Sequence, residues 1–164
     1  MKSIRAFDKY TAKQILRLPT NLHHPFEMLG YATTPFIWGV ILVIYNVIAY
    51  NGQLAASVLV LLLLPLATIS KLAFRRQRPP TIYAGNMRIK SYSFPSSHAY
   101  TAALGGGFFA MLCFTSNSYL LGSLVSAIVI IVGVSRVYLG AHYPSDVLAG
   151  WALGLVMLYV TTLI

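Results

Sequence analysis

Charge is scarce in this chain, and acid is scarcer. Charged residues fill 9% of its 164 positions, where a soluble domain carries about 25%. Hydrophobic residues make up 57%. That balance excludes an ordinary water-soluble globule and points to lipid as the solvent. The acids are Asp8, Glu27 and Asp146, against twelve Lys and Arg, for a formal net charge of +9. A basic excess suits nucleic acid, anionic head groups or a phosphorylated substrate. The long apolar runs argue against nucleic acid. The single cysteine, Cys113, excludes an intramolecular disulfide and offers no metal-ligand pattern. No apolar stretch follows the early basic residues, so the N-terminus does not read as a secretory signal. The length fits one domain, 1–164.

What is present is apolar sequence in long pieces. Five segments approach the ~20 residues of helix that a bilayer core requires: 31–50, 54–74, 98–115, 119–139 and 146–164. Pro65 lies inside the second and should kink it, which membrane helices tolerate. Asn51-Gly52-Gln53 and Ser116-Asn117-Ser118 read as short polar turns. One long polar stretch, 75–94, is rich in Arg, Lys, Pro and Tyr. Residues 2–18 differ again. On a helical wheel Ile4, Phe7, Thr11, Ile15 and Leu18 share one face, and Lys2, Arg5, Lys9, Lys13 and Arg17 the other. This pattern, ended by Pro19, fits a helix lying in the membrane interface or one packed on protein. The expected fold is therefore an all-α membrane bundle of five transmembrane helices (31–164) with an N-terminal interfacial amphipathic helix (1–20).

Counting crossings places every Lys and Arg, all four histidines and all three acids on or at the edge of one membrane face, shared with the N-terminus. Three clusters lie there at helix ends. The first runs from Lys71 to Arg78-Pro79. Cations from separate helices would repel unless an anion lay between them, so Lys71, Arg78 and Arg136 suggest a phosphate site. The second is Pro95-Ser96-Ser97-His98. Pro95 suits the first helical position, which would leave the amides of Ser96, Ser97 and His98 free for an anion. The third is Ser135-Arg136, His142 and Asp146. Pro144 can start the last helix, putting Asp146 in its first turn, within reach of His142. A carboxylate that fixes the imidazole tautomer leaves the other nitrogen free to attack, and His98 can then protonate the departing oxygen.

As a set these residues resemble the type-2 phosphatidic acid phosphatase superfamily, the lipid phosphate phosphatases. Lys71, six residues, Arg78-Pro79 matches the first part of its pattern. Pro95-Ser96-Ser97-His98 matches the second, with Ser97 in a glycine position. Ser135-Arg136, five residues, His142, three residues, Asp146 matches the third. The resemblance implies that His142 forms a phosphohistidine, that Asp146 supports it and that His98 is the leaving-group acid. It implies that Lys71, Arg78, Ser96, Ser97 and Arg136 hold the phosphoryl oxygens, with no metal and no cofactor. It also implies kinship with vanadium-dependent haloperoxidases, so vanadate should mimic the phosphoryl group. The implied partner is a lipid phosphate in the membrane, polyprenyl or glycerolipid. A phosphotransferase would use the same residues. An anion channel would use the cations but has no need of the His–Asp pair.

The remaining features have plainer readings. Arg75, Arg76, Arg88 and Lys90 read as a solvated or head-group-facing surface. His23-His24 reads as a loop. Tyr31, Tyr50, Tyr119 and Tyr138 read as interface anchors. Gly105-Gly106-Gly107 and the Gly150–Gly154 spacing permit close helix packing, and the latter leaves a homodimer open. Set apart from the three phosphate-site cations, nine Lys and Arg stand against none on the other face. The positive-inside rule then puts the N-terminus and the site in the cytoplasm, in the cell (plasma or inner) membrane.

Overall fold

The computed structural model describes residues 2–49, 54–80 and 91–163. The expected turn at 51–53, Tyr50, Arg88 and Lys90 lie outside the described residues. All described secondary structure is helical. The helices are α1 (Lys2–Ile15), α2 (His23–Ala32), α3 (Pro35–Ala49), α4 (Leu54–Leu63) and α5 (Leu66–Phe74), then α6 (Ser97–Thr101), α7 (Gly107–Thr115), α8 (Tyr119–Tyr138) and α9 (Pro144–Thr161). By length and composition α8 and α9 can each cross a membrane. A third span arises if the pair Thr20–Ala32 and Phe36–Tyr45, bent by 54°, is counted as one.

The other apolar segments are divided at identifiable residues. The segment expected over 31–50 is not one helix. α2 begins at His23, so His23-His24 opens a helix instead of forming a loop, and the chain breaks at Thr33-Thr34. Pro35 follows, and a residue before proline is pushed out of the α region. Pro65 divides α4 from α5 as its missing N–H requires. The hydroxyl of Tyr100 donates to the Leu63 carbonyl at that break (2.7 Å), which keeps it satisfied inside an apolar bundle. The segment from Ser97 to Thr115 is continuous but passes through a π-turn at Ala102–Gly106.

Leu42, Val60, Leu64, Ala67, Tyr100, Leu104 and Phe108 form the main apolar core, joining α3, α4 and α5 to the α6–α7 segment. The glycines of α9 are occupied within the chain. A Cβ at Gly150 would lie 2.6 Å from the Ser96 carbonyl oxygen, and one at Gly154 would lie 2.7 Å from the Tyr100 carbonyl oxygen. That face therefore packs on the chain's own third segment and is not open to a partner copy. Tyr138 is no interface anchor: it is buried, donates to the Pro19 carbonyl (2.8 Å) and meets Phe26 edge-on. Tyr31 and Tyr119 are exposed.

The amphipathic segment forms a helix over Lys2–Ile15 that packs on α8 and α9. Its protein-facing side is Asp8, Thr11, Ala12 and Ile15, with the i, i+3, i+4, i+7 spacing of one helical stripe. Ile4 and Phe7 stay exposed, 54% and 42%. Only part of the apolar face is thus spent on protein.

Candidate active site

The α8–α9 turn brings the third sequence cluster together. Ala141 and His142 both donate backbone N–H groups to the Arg136 carbonyl (3.0 and 3.2 Å), folding the chain back after α8. Gly140 takes a positive φ of 65° there, a conformation natural to glycine. Pro144 is the first residue of α9, and Asp146 is the third. The carboxylate reaches back to the Tyr143 N–H through Oδ2 (2.9 Å), a capping contact that orients it.

His142 is almost fully buried, and its two nitrogens face different partners. Arg78 Nη1 lies 3.2 Å from Nε2. Guanidinium can only donate, so Nε2 is the accepting nitrogen and the proton sits on Nδ1. Nδ1 is 3.6 Å from Asp146 Oδ2, just beyond hydrogen-bond range, and has no other partner. Burial lowers the His142 imidazole to about 4; Arg78 and Lys71 act in the same direction and Asp146 opposes them. The ring is therefore neutral at neutral pH, with a lone pair on Nε2.

Arg78 is held by the loop as well as by His142. It donates to the Ser91 carbonyl (2.9 Å), the Ser91 hydroxyl (3.0 Å) and the Ala141 carbonyl (2.7 Å). Ser93 ties the same strand of loop to the Arg76 and Gln77 carbonyls. Lys71 is buried on α5, 4% exposed, with its ammonium in electrostatic range of Arg78 and Asp146. His98 feels the charges of Arg136, His142, Lys71 and Arg78. Its ring makes no hydrogen bond to any described residue. The charges of Lys71, Arg78 and Asp146 thus reach His142, and those of Lys71, Arg78 and Arg136 reach His98.

Two expected donors are placed otherwise. Pro95 precedes the helix, and Ser96 is its cap, accepting the Ala99 N–H on Oγ at 3.4 Å. The Ser96 amide is not free: it donates to the Asp146 carbonyl (3.0 Å), stitching the second cluster to the third. The amides of Ser97 and His98 are the ones left without an acceptor among the described residues. Arg136 is braced from two sides. Nη2 donates to the Phe26 carbonyl (2.7 Å), and Nε and Nη2 both reach Ser135 Oγ. Gly30 of α2 makes room for it, since a Cβ there would collide with the guanidinium.

Arg76 is not the solvated surface cation expected from its basic neighbours. It donates to Asp146 Oδ1 (2.6 Å), Ser145 Oγ (2.8 Å) and Asp8 Oδ2 (2.8 Å), and lies 4.1 Å from the Tyr143 ring centroid. Asp8 and Arg76 were missed because each belongs to a run of cations. One signal was available: Asp8 is the single acid of a basic helix and keeps step with Thr11, Ala12 and Ile15. Beneath α1 a cavity of about 540 Å³ is lined by Arg5, Asp8, Lys9, Arg76, His142 and Tyr143 among others. It gives His142 an opening toward the basic face of the N-terminal helix.

An all-helical bundle whose site pairs a buried neutral histidine with a carboxylate, ringed by Lys and Arg from separate helices, defines a class of anion-handling membrane protein. A family model described as the PAP2 superfamily matches residues 47–164, and the chain belongs to that superfamily. It is similar to phosphatidylglycerophosphatase B of Bacillus subtilis, 35% identical over 91 residues, covering 52% of this chain and 44% of that protein. It is similar to undecaprenyl-diphosphatase of Sulfolobus acidocaldarius, 36% identical over 95 residues, covering 54% and 43%. Lipid A 1-phosphatase of Rhizobium etli matches at 37% over 99 residues, covering 54% and 40%. The aligned segments thus span less than half the length of these relatives. Among solved structures, a transmembrane PAP2-type phosphatidylglycerolphosphate phosphatase from Bacillus subtilis superposes with a TM-score of 0.76 at 23% identity, covering 99% of this chain and 86% of that one. LpxE of Aquifex aeolicus superposes with a TM-score of 0.74 at 18% identity, covering 94% of each chain. Both share the fold.

Proposed function

We propose that the chain is an integral membrane phosphatase that hydrolyses a phosphate monoester or diphosphate on a lipid through a phosphohistidine. The observation that carries this is the state of His142: buried, neutral, its Nε2 lone pair aimed toward Arg78 and its Nδ1 proton toward Asp146. In the first step that lone pair forms a P–N bond as the P–O bond breaks. The departing oxygen keeps the bonding electrons and takes a proton from His98, which enters the step as an imidazolium because the bound phosphate offsets the cations around it. In the second step water, deprotonated by His98, attacks phosphorus and releases inorganic phosphate. Lys71, Arg78, Arg136 and the amides of Ser97 and His98 supply the donors that steady the phosphoryl oxygens, and Ser96 adds its hydroxyl proton. The three relatives named above, all titled as lipid phosphatases or diphosphatases, agree with this class.

The broken helices fit five crossings, with the bent pair α2–α3 and the pair α4–α5 each counted once, and with α1 in the interface. The substrate tail then enters from the bilayer, and the head group meets the basic face over His142. On the charge asymmetry that face is cytoplasmic. Single cysteines at Asn86 and Asn117, with Cys113→Ser, report it: an impermeant thiol reagent on intact cells should label 117 and spare 86, and the opposite pattern reverses the orientation. The reaction itself is tested by phosphate release from purified protein across polyprenyl and glycerolipid phosphates and diphosphates. Turnover should persist in chelator and fall with vanadate. Silence on every lipid, or phosphate release that requires added magnesium, would refute the reading.

A further inference from the structure

The α9 N-terminus is gripped by two residues that the family motifs do not specify. Asp8, 4% exposed in the middle of a cationic helix, accepts the Ser145 N–H on Oδ1 (2.8 Å) and the Ser145 hydroxyl on Oδ2 (2.9 Å). Ser145 is the second residue of α9, where an N–H has no partner inside the helix. A carboxylate borrowed from α1 thus caps α9 and puts negative charge at its positive end. Asp8 Oδ2 also receives Arg76 Nη2, while Arg76 Nη1 goes on to Ser145 Oγ and Asp146 Oδ1. The guanidinium lies against the Tyr143 ring. Residues 143, 145 and 146, which immediately follow the nucleophile candidate, are all held by this pair.

The charges give the grip a chemical consequence. If Arg76 paired with Asp146 alone, it would cancel the carboxylate that faces His142. Asp8 shares the guanidinium through its other nitrogen, so two carboxylates face one cation and the cluster keeps net negative charge beside Nδ1. Burial alone would lower the Arg76 guanidinium, but Asp8 and Asp146 outweigh it and raise it. Arg76 is thus a fixed cation throughout. When Nε2 bonds to phosphorus and Nδ1 keeps its proton, the ring becomes cationic, and residual negative charge behind it stabilises that state.

We propose that Asp8 and Arg76 are positioning residues for phosphoryl transfer, locking the Asp146 carboxylate at His142 and making the N-terminal helix part of the active site. The proposal rests on the phosphatase reading above. Its test is a double-mutant cycle on the full chain in lipid nanodiscs: wild type, Asp8→Asn, Arg76→Gln and the double variant, with His142→Ala as the inactive reference. For each, kcat, KM, single-turnover phosphoenzyme formation and the thermal midpoint are measured on a lipid phosphate that the wild type turns over. Asp8→Asn should lower kcat and phosphoenzyme formation on the order of ten- to a hundredfold, with KM within about twofold and a folded protein. Because both residues act on the same carboxylate, the double variant should lose much less than the product of the single losses. Arg76→Lys, which keeps the charge but loses one arm of the bridge, should fall between wild type and Arg76→Gln. A wild-type kcat in folded Asp8→Asn overturns the proposal while leaving the phosphatase reading intact. So do multiplicative losses that track only the folded fraction. A wild type that releases no phosphate from any lipid overturns the phosphatase reading itself, and this proposal with it.

Discussion

The two histidines sit in differently built corners of one site. Around His142 almost every polar group is committed: Arg78 to Nε2, Tyr143 and Arg76 to the Asp146 carboxylate, Asp8 to Ser145. Around His98 the ring and the amides of Ser97 and His98 have no partner among the described residues. A braced corner holds a geometry before substrate arrives, and an open corner keeps donors available for what binds. The proposed mechanism uses the contrast: attack falls to the first corner, and reception of the phosphoryl and leaving groups to the second.

Breaking the braced corner at its centre should cost the most. His142→Ala should reduce phosphate release by roughly a thousandfold or more, while the protein still folds. Asp146→Asn keeps the ring but removes the charge behind it, so a small remainder should survive. Substantial turnover by folded His142→Ala would assign attack to another group.

The open corner should break differently. His98→Ala should slow phosphoenzyme formation by on the order of a hundredfold for a lipid alcohol, which leaves poorly unless protonated. An activated leaving group needs little protonation and should lose much less. Equal losses on both substrates would make His98 a binding residue only.

The open corner was also the more legible one from sequence. Pro95 through His98 declared a helix start, but Pro95 is not its first residue: the helix begins two positions later, at Ser97, because Ser96 can accept an N–H as a cap and Pro95 cannot. The spacing of His142, Pro144 and Asp146 likewise follows from local helix geometry. The brace does not. Arg76 meets Asp8 across 68 positions, and Ser145 meets it across 137, and no local periodicity encodes such pairings. The break at Thr33-Thr34 was hidden for another reason: hydropathy is blind to a proline's effect on the residue before it. Tyr138 looked like an anchor because it sits at a helix end, but α2 and Pro19 cover that end.

A smaller effect should come from protonation of the braced corner. The groups facing His142 are Arg78, Lys71, Asp146 and His98. Its folded value, about 4, lies below the ordinary 6.5 of an unfolded histidine. Between those values the unfolded chain binds a proton that the folded chain refuses. This contribution to stability is present above pH 6.5 and is lost as pH falls toward 4. It amounts to at most about 3 kcal/mol. Thermal midpoints measured without phosphate should therefore fall less steeply over this window in His142→Gln than in wild type. Parallel curves would mean that the ring is accessible to protons in the folded state.

The smallest effect concerns the seam between the corners. α9 carries Asp146 and presses Gly150 and Gly154 onto the segment that carries His98, with backbone oxygens at 2.6 and 2.7 Å from the added carbon. Backbone cannot swing aside as a side-chain tip can, so Gly150→Ala must push α9 away from Ser96. Overpacking of this kind costs about 1–3 kcal/mol, offset by the ~1 kcal/mol that alanine gains over glycine in a helix. Gly39→Ala is the matched control. Its new carbon meets only the Leu61 Cδ1 at 3.5 Å, an ordinary contact. Thermal midpoints in one detergent should drop for Gly150→Ala and hold or rise for Gly39→Ala. The Gly150 variant should also bind vanadate more weakly, because separating the helices pulls the amides of Ser97 and His98 away from His142. A Gly150→Ala protein as stable as the Gly39 control, with vanadate binding unchanged, would show that the two corners do not depend on this seam for their spacing.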